Sequence, residues 1–414
     1  MNADREHYDE LEVLSPSARQ IAEAERLAQQ IAYAKTNAAY YRKLLADVDP
    51  TCITTREALA RLPITRKSDL RAIQAKALPF GGLNGWDLRY VAHVYQSPGL
   101  IYEPDSDNRD HWRFARSLWA AGVRPGMLVH NTFSYHLTPA GIIIESGARA
   151  IGCPVIPGGV GNTELQVQAI ADLRPSVYCG TPSFLKILLE KGRQSRTDVS
   201  SLKIAVVGGE ALPSSLRQDI NDLGVFVLQN YGTADVGLIA YESRAMEGMI
   251  IDEGVVLEIV RTGTGDPVPD GEVGEVVVTT FNPVYPLIRF ATGDLSAVMP
   301  GQSLCGRTNR RIKGWMGRAD QTTKVKGMFV HPSQVAQVVA RHPEIIRARL
   351  EVSSRDNIDD MMLRCEVGIE DDALAAAIAL TMQSVCKVRG QVALIGPGEL
   401  PNDGKVIVDL RSYT

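Results

Sequence analysis

The stretch Ile204-Ala-Val-Val-Gly-Gly-Glu-Ala-Leu-Pro-Ser-Ser-Leu-Arg-Gln-Asp-Ile-Asn-Asp-Leu-Gly-Val-Phe-Val-Leu-Gln-Asn230 decides the fold. It opens on an apolar run, Ile204–Val207, and turns through Gly208-Gly209. A segment of helical spacing follows over 213–223, and a second apolar run, Val225–Asn230, closes it. Runs without polar alternation read as strands buried on both faces, and two such strands joined through a helix run parallel. The same alternation extends upstream. Apolar runs at Tyr90–Tyr95, Leu128–Asn131, Pro154–Ile156 and Val177–Gly180 alternate with helical spacing at 108–121, 139–151, 164–173 and 183–194. The pattern predicts a parallel sheet covered by helices on both faces.

Outward from this centre the pattern changes twice. Residues 15–47 have helical spacing, with Ala, Leu and Ile on one side and a solvated charged face on the other, and Thr65–Leu70 after Pro63 reads as the start of another helix. From 238 to 310 the chain reads as short strands with turn signals such as Pro269-Asp270-Gly271. Past Gly317 it predicts helix 333–341, strands 346–352 and 361–367, helix 372–386 and strand 391–395. The expected class is α/β. A large N-terminal domain, 1–318, carries mainly parallel sheets and a small β region, and 319–414 forms a small α+β lid.

Of 414 residues, 44 are Lys or Arg and 48 Asp or Glu, a net charge of −4, which argues against a nucleic-acid or anionic-membrane partner. The six cysteines are scattered without a CxxC pair, the pattern of reduced thiols in a cytoplasmic protein. The charged segment 1–14 has no apolar run of a secretory signal, and no apolar stretch approaches the length of a membrane span. Trp112, Trp119 and Trp315 read as core or interface residues.

Three short segments carry chemistry. Asn230-Tyr231-Gly232-Thr233-Ala234-Asp235 follows a strand at the carboxyl edge of the sheet, where open α/β folds bind ligands. It offers an aromatic ring to stack on a base, a glycine for close approach, and a carboxylate for Mg²⁺. Thr292-Gly293-Asp294 places a bidentate acceptor suited to two vicinal ribose hydroxyls after a turn. Gly404-Lys405, in a Pro/Asn/Gly loop, can bring a point charge to a phosphate. Each alone also reads as an ordinary turn.

In this order, with Gly317-Arg318-Ala319-Asp320 between them, the segments resemble the adenylate-forming enzymes, and over nearly the whole length the chain resembles their phenylacetate–CoA ligase branch. The resemblance rests further on Ala120–Gly126, Gly158–Glu164, Gly180-Thr-Pro-Ser183, Gly208-Gly209-Glu210 and Lys326–Ser333. It implies an enzyme that uses ATP and Mg²⁺ to activate a small aryl or acyl carboxylic acid as acyl-AMP and then transfers it to coenzyme A. Alternative readings keep the adenylation but use an amine or a carrier-protein thiol as acceptor, or make the chain a non-catalytic nucleotide- or acyl-binding relative. By the resemblance Gly208, Gly209, Glu210, Asn230, Tyr231, Gly232 and Thr233 frame the nucleotide, Asp294 holds the ribose, and Arg318 sits near ribose or phosphate. Asp235 holds Mg²⁺ directly or through water, Asp320 is the hinge of the lid, and Lys405 bridges carboxylate and α-phosphate. Lys324 faces the site in the thiol-transfer conformation. The resemblance also allows a homodimer.

Some positions depart from the family pattern. Its Ser/Thr/Gly phosphate loop ending in Lys corresponds to Tyr95–Pro104, where Ser97 and Gly99 keep the phosphate-cradling character, no Lys follows, and Glu103 would repel phosphate if it pointed inward. Of the zinc ligands many relatives carry, only Cys305 remains, so no structural zinc is expected. The acyl pocket is expected at Phe133, Tyr135 and His136, with His136 read equally well as a hydrogen-bonded packing residue.

Overall fold

The computed structural model describes residues 5–261, 263–319, 323–330, 332–355, 358–369, 371–401 and 405–411. The chain divides into two compact units, one of residues up to 212 with 217–316, the other of 213–216 with 317 onward.

In the first unit Thr65–Arg66 (β1) pairs in parallel with a later strand, and Val94–Ser97 (β2) with Ile101–Pro104 (β3) makes a hairpin. Five parallel strands follow: Val129–Asn131 (β4), Val155–Pro157 (β5), Val177–Gly180 (β6), Ile204–Val207 (β7) and Phe226–Thr233 (β8), in spatial order β5-β4-β6-β7-β8. Their connections are the predicted helices, here Ala140–Ile151, Thr163–Leu173, Pro182–Ser195 and Ser214–Asp222. Beyond β8 the sheet turns antiparallel through Gly237–Glu242 (β9) and Met249–Ile251 (β10). Val255–Val260 (β11), Gly274–Thr280 (β12) and Phe290–Ser296 (β13) form an antiparallel sheet closed by β1.

Two buried clusters hold this unit together. One packs Leu27, Ile31 and Tyr41 from the N-terminal helices against β11–β13, and the other surrounds Trp112 and Trp119, both essentially inaccessible. Those two tryptophans are core, as expected.

Local readings fail where tertiary bonds override spacing. The helix expected over 15–47 runs Pro16–Asn37, capped by Ser15, and breaks at Ala38, whose extended backbone lets Tyr40 N–H reach the Gly82 carbonyl at 2.9 Å. The helix expected to begin at Thr65 begins instead with β1, because Thr65 N–H bonds the Arg289 carbonyl at 3.0 Å; only Leu70–Ala75 is α-helical. The helix expected over 108–121 shrinks to Ala115–Ala121. Asp110 and Arg113 adopt φ of 54° and 64°, and the Arg113 guanidinium is drawn to Asp252 at 2.7 Å and to the Val236 and Leu238 carbonyls. The strand read at Tyr90–Tyr95 lies at Val94–Ser97, after a 3₁₀ turn at Leu88–Tyr90.

In the second unit the predicted order holds: helix Pro332–Arg341, strands Ile345–Arg355 and Ile358–Val367, helix Asp372–Cys386 and strand Gln391–Ile395. A short hairpin, Thr323–Val325 with Met328–Val330, and a parallel edge strand at Ile407–Asp409 complete it. Val338, Leu350, Leu363 and Ile378 anchor its own core. Among the described residues no helix is long and apolar enough to cross a membrane.

Candidate active site

Strand β8 is buried through Tyr231, and its register against β9 shifts there, carrying the chain across the sheet's carboxyl edge. The Tyr231 hydroxyl donates to Asp294 Oδ2 at 2.8 Å and lies 3.2 Å from Thr292 Oγ1. Trp315 Nε1 donates to Asp294 Oδ1 at 3.0 Å, and Asp294 N–H bonds Thr292 Oγ1 at 3.1 Å. The carboxylate is therefore held by two side-chain donors from opposite ends of the sequence interval. Trp315 packs against the core, as expected, and through this bond also takes part in the site. Gly208, just after β7, lies where a Cβ would stand 2.4 Å from Asn230 Oδ1, so any side chain here would displace the Asn230 amide. Glu210 accepts from Ser183 Oγ at 2.6 Å. Thr233 Oγ1 accepts from Val236 N–H at 3.2 Å, shaping the turn that ends in Asp235.

That turn delivers Asp235 to a buried charge cluster. Its side chain is fully inaccessible, and Oδ2 pairs with Lys67 Nζ while Oδ1 has no hydrogen-bond partner. Lys67 arrives because β1 runs parallel to β13 in the register Thr65↔Phe290 and Arg66↔Ala291, which sets the next residue toward Thr292. Burial alone pushes the Lys67 ammonium down, but Asp235, with Glu103 and Asp294, more than offsets this and holds it above its ordinary range. Glu103 does point inward. It is 0% exposed, its Oε1 accepts from Ser97 Oγ at 2.5 Å, and Oε2 is unpartnered. Burial, reinforced by Asp235, pushes its carboxyl up to about 8 despite Ser97 and Lys67. The segment expected to cradle phosphate is thus a tight hairpin, with three residues including Gly99 (φ 100°) between Ser97 and its partner Ile101.

Of the acyl-pocket candidates, Tyr135 is tied to Asn131 Nδ2 at 2.8 Å and Glu145 Oε2 at 3.0 Å, Phe133 is half-buried, and His136 is exposed. In the second unit Lys405 is exposed and its carbonyl accepts from Arg349 Nε at 3.1 Å. Lys324 lies on the short hairpin and Arg318 is half-buried. Asp320 and residues 402–404 lie outside the described residues. Cys305 contacts the Ser303 hydroxyl at 3.2 Å, and although burial pushes its thiol up, the Ser243 and Ser303 hydroxyls hold it lower than usual. Among the described residues no group of three or more His, Cys, Asp or Glu is placed to hold a metal ion.

Lys67 and Trp315 escaped the sequence reading. The Lys67–Asp235 pair spans 168 residues, and only the parallel pairing of a two-residue strand joins them. The one usable signal was charge: a phosphate segment without Lys calls for a cation from elsewhere.

At the carboxyl edge of the parallel sheet Tyr231 thus meets an aspartate from the neighbouring sheet, beside a half-buried lysine, an arrangement suited to a nucleotide-handling α/β enzyme. Residues 139–282 match the AMP-binding enzyme family. The chain is 33% identical to a phenylacetate–coenzyme A ligase of Thermus thermophilus, over 98% of this chain and 99% of that one. It is 29% identical to the Escherichia coli enzyme of the same name, over 98% of each. The fold is also that of 2-hydroxyisobutyryl-CoA ligase, solved with its acyl-AMP and CoA, at a TM-score of 0.86 and 23% identity over 100% of this chain and 94% of that one. The chain belongs to the phenylacetate–coenzyme A ligase family of AMP-binding enzymes.

Proposed function

We propose that this protein is an AMP-forming acid–coenzyme A ligase, activating a small aryl or acyl carboxylic acid with ATP as acyl-AMP and passing the acyl group to coenzyme A. The observation that carries the reading is the Asp294 carboxylate, fixed by Tyr231 and Trp315 within electrostatic reach of the buried Lys67–Asp235 pair. Similarity over almost the full length to phenylacetate–coenzyme A ligases supports it.

Asp294, oriented by its two donors, accepts the two ribose hydroxyls. Gly208, Gly209, Glu210 and the Asn230–Thr233 segment border the base, and Arg318 lies toward ribose or phosphate. A carboxylate attacking a polyanion needs its charge and the phosphate's shielded. Lys67 supplies a fixed cation for this in place of a loop lysine, and Lys405 supplies a second on the smaller domain. Mg²⁺, when bound, neutralises phosphate charge, and the open Asp235 oxygen suits it. Residues 1–318 form the adenylation domain and 319–414 a lid pivoting at Asp320, which withdraws Lys405 and brings Lys324 forward for thiol transfer. Phe133, Tyr135 and His136 border the acyl group. The free cysteines among the described residues support a reducing, cytoplasmic setting.

The test is incubation with ATP, Mg²⁺ and a panel of aryl and short alkyl acids, with and without CoA, following AMP and pyrophosphate. The proposal expects CoA-dependent AMP with at least one small acid. Acid-dependent pyrophosphate with an amine or carrier thiol as the only productive acceptor overturns the CoA assignment, and no pyrophosphate with any acid overturns the whole reading.

A further inference from the structure

Two carboxyl groups and one ammonium cluster beside the hairpin, one positive charge short when both carboxyls are ionised. Asp235 and Glu103 are both at least nine-tenths buried, and burying an unpaired charge costs several kcal/mol. Each carboxylate has one oxygen already committed, Asp235 Oδ2 to Lys67 and Glu103 Oε1 to Ser97, and the other two, Asp235 Oδ1 and Glu103 Oε2, are buried with no partner. Buried polar atoms left in that state call for an explanation. Glu103 has no counterpart in a phosphate loop that ends in lysine: here the charge at the end of that segment is inverted.

We infer that Glu103 is, with Asp235, a second protein ligand for the divalent cation that accompanies the nucleotide, binding through Glu103 Oε2 and Asp235 Oδ1. This rests on the ATP-dependent reading above. Three features support it. Both side chains are immobilised through their other oxygens, so the open lone pairs are held in place. Mg²⁺ is commonly held by one or two carboxylates, its remaining positions filled by water and substrate phosphates, and the pocket offers two. The hairpin's three-residue turn is too short to wrap a phosphate in successive backbone N–H groups, so the cation and Lys67 carry more of the phosphate charge here.

Charged and polar groups from several elements converge on Glu103. Glu103 on β3 is faced by Asp235 from the turn after β8, Lys67 from the segment after β1, Ser97 on β2, and the Tyr285 phenol.

The test uses the full-length protein and Mn²⁺, with and without α,β-methylene ATP, read by electron paramagnetic resonance of free Mn²⁺ and by calorimetry at pH 7. The inference expects one site. Glu103→Gln, which keeps the Ser97 contact, loses at least about tenfold in affinity, since even outer-shell partners of a metal are worth 10–100-fold. Lys67→Met, by removing a competing charge, binds Mn²⁺ more tightly, and the upward shift of its melting temperature by Mn²⁺ reads this even if the variant is less stable. Wild-type affinity in Glu103→Gln under both conditions, or no Mn²⁺ binding by wild type in either, overturns the inference and leaves Glu103 a buried side chain bonded to Ser97. Separately measured ATP–pyrophosphate exchange keeps the two readings apart. Exchange with Mn²⁺ binding indifferent to Glu103 sinks the cation site alone, and Mn²⁺ binding without exchange on any acid sinks the ligase reading alone.

Discussion

Replacing Lys67 with Met separates what this lysine does for the fold from what it does for chemistry. Asp235 is fully inaccessible and Lys67 Nζ is the partner of its Oδ2, so the substitution leaves a buried carboxylate without its cation. Breaking a buried pair by removing one partner costs about 3–5 kcal/mol, and because 23% of the Lys67 side chain remains accessible the lower end, about 3 kcal/mol, is expected. In the double variant Lys67→Met/Asp235→Asn both charges are gone, and most of that loss returns, since uncharged replacements of a buried pair are often nearly neutral. Adenylation behaves differently. Loss of one preorganised charge at a phosphate typically costs 10²–10³ in rate, and the double variant does not recover it. Urea denaturation followed by fluorescence measures the first quantity and acid-dependent ATP–pyrophosphate exchange the second. A single variant as stable as wild type refutes the buried pair. Exchange restored in the double variant refutes a role for Lys67 beyond neutralising Asp235.

Lys405→Ala is expected to cut acyl-AMP formation by about 10²–10³ while leaving the melting curve unchanged, because Arg349 bonds the Lys405 backbone carbonyl, which the substitution keeps; normal exchange in the variant refutes the assignment. Asp294→Asn removes the charge that Tyr231 and Trp315 orient. Hydrogen bonds to a charged group are worth about 1.5–3 kcal/mol, so the apparent ATP affinity falls by roughly 10–100-fold with a smaller change in the KM of the acid. His111 provides a pH test of stability. Burial, then Arg113, holds its imidazole down to about 3, so the folded state stays neutral where the unfolded chain, titrating near 6.5, takes up a proton. Its contribution is complete above pH 6.5 and is lost as pH falls toward 3, amounting to about 2 kcal/mol at pH 5. His111→Asn, which can keep the bond to Ser106, removes that slope; an unchanged difference between pH 7 and pH 5 contradicts it.

What the sequence disclosed, and what it withheld, follows the range of the interactions involved. Runs such as Ile204–Val207 declare themselves because strands covered on both faces are apolar throughout, and Tyr231 and Asp294 stand out because each lies near the end of a strand within a short, distinctive segment. The helices and long strands of the C-terminal unit were legible for the same local reason. The helix shortened to Ala115–Ala121 was not, because the reach of Arg113 to Asp252 is a contact across 139 residues that periodicity cannot register. Lys67 and Trp315 share this limit: each meets its partner only after β1 and β13 pair and residues 313–316 fold back onto the sheet. Glu103 was visible as an anomaly, but whether it faced inward depended on the hairpin register that pairs Ser97 with Ile101.

The central claim is that a carboxylate oxygen of the acid attacks the α-phosphorus of ATP in this site. Turnover with ¹⁸O-carboxyl-labelled phenylacetate, or whichever small acid of the panel reacts, ATP and CoA, followed by mass spectrometry of the nucleotide, tests it directly. The account predicts one ¹⁸O atom in the AMP released with each acyl-CoA formed; unlabelled AMP, or label appearing in inorganic phosphate, would contradict it.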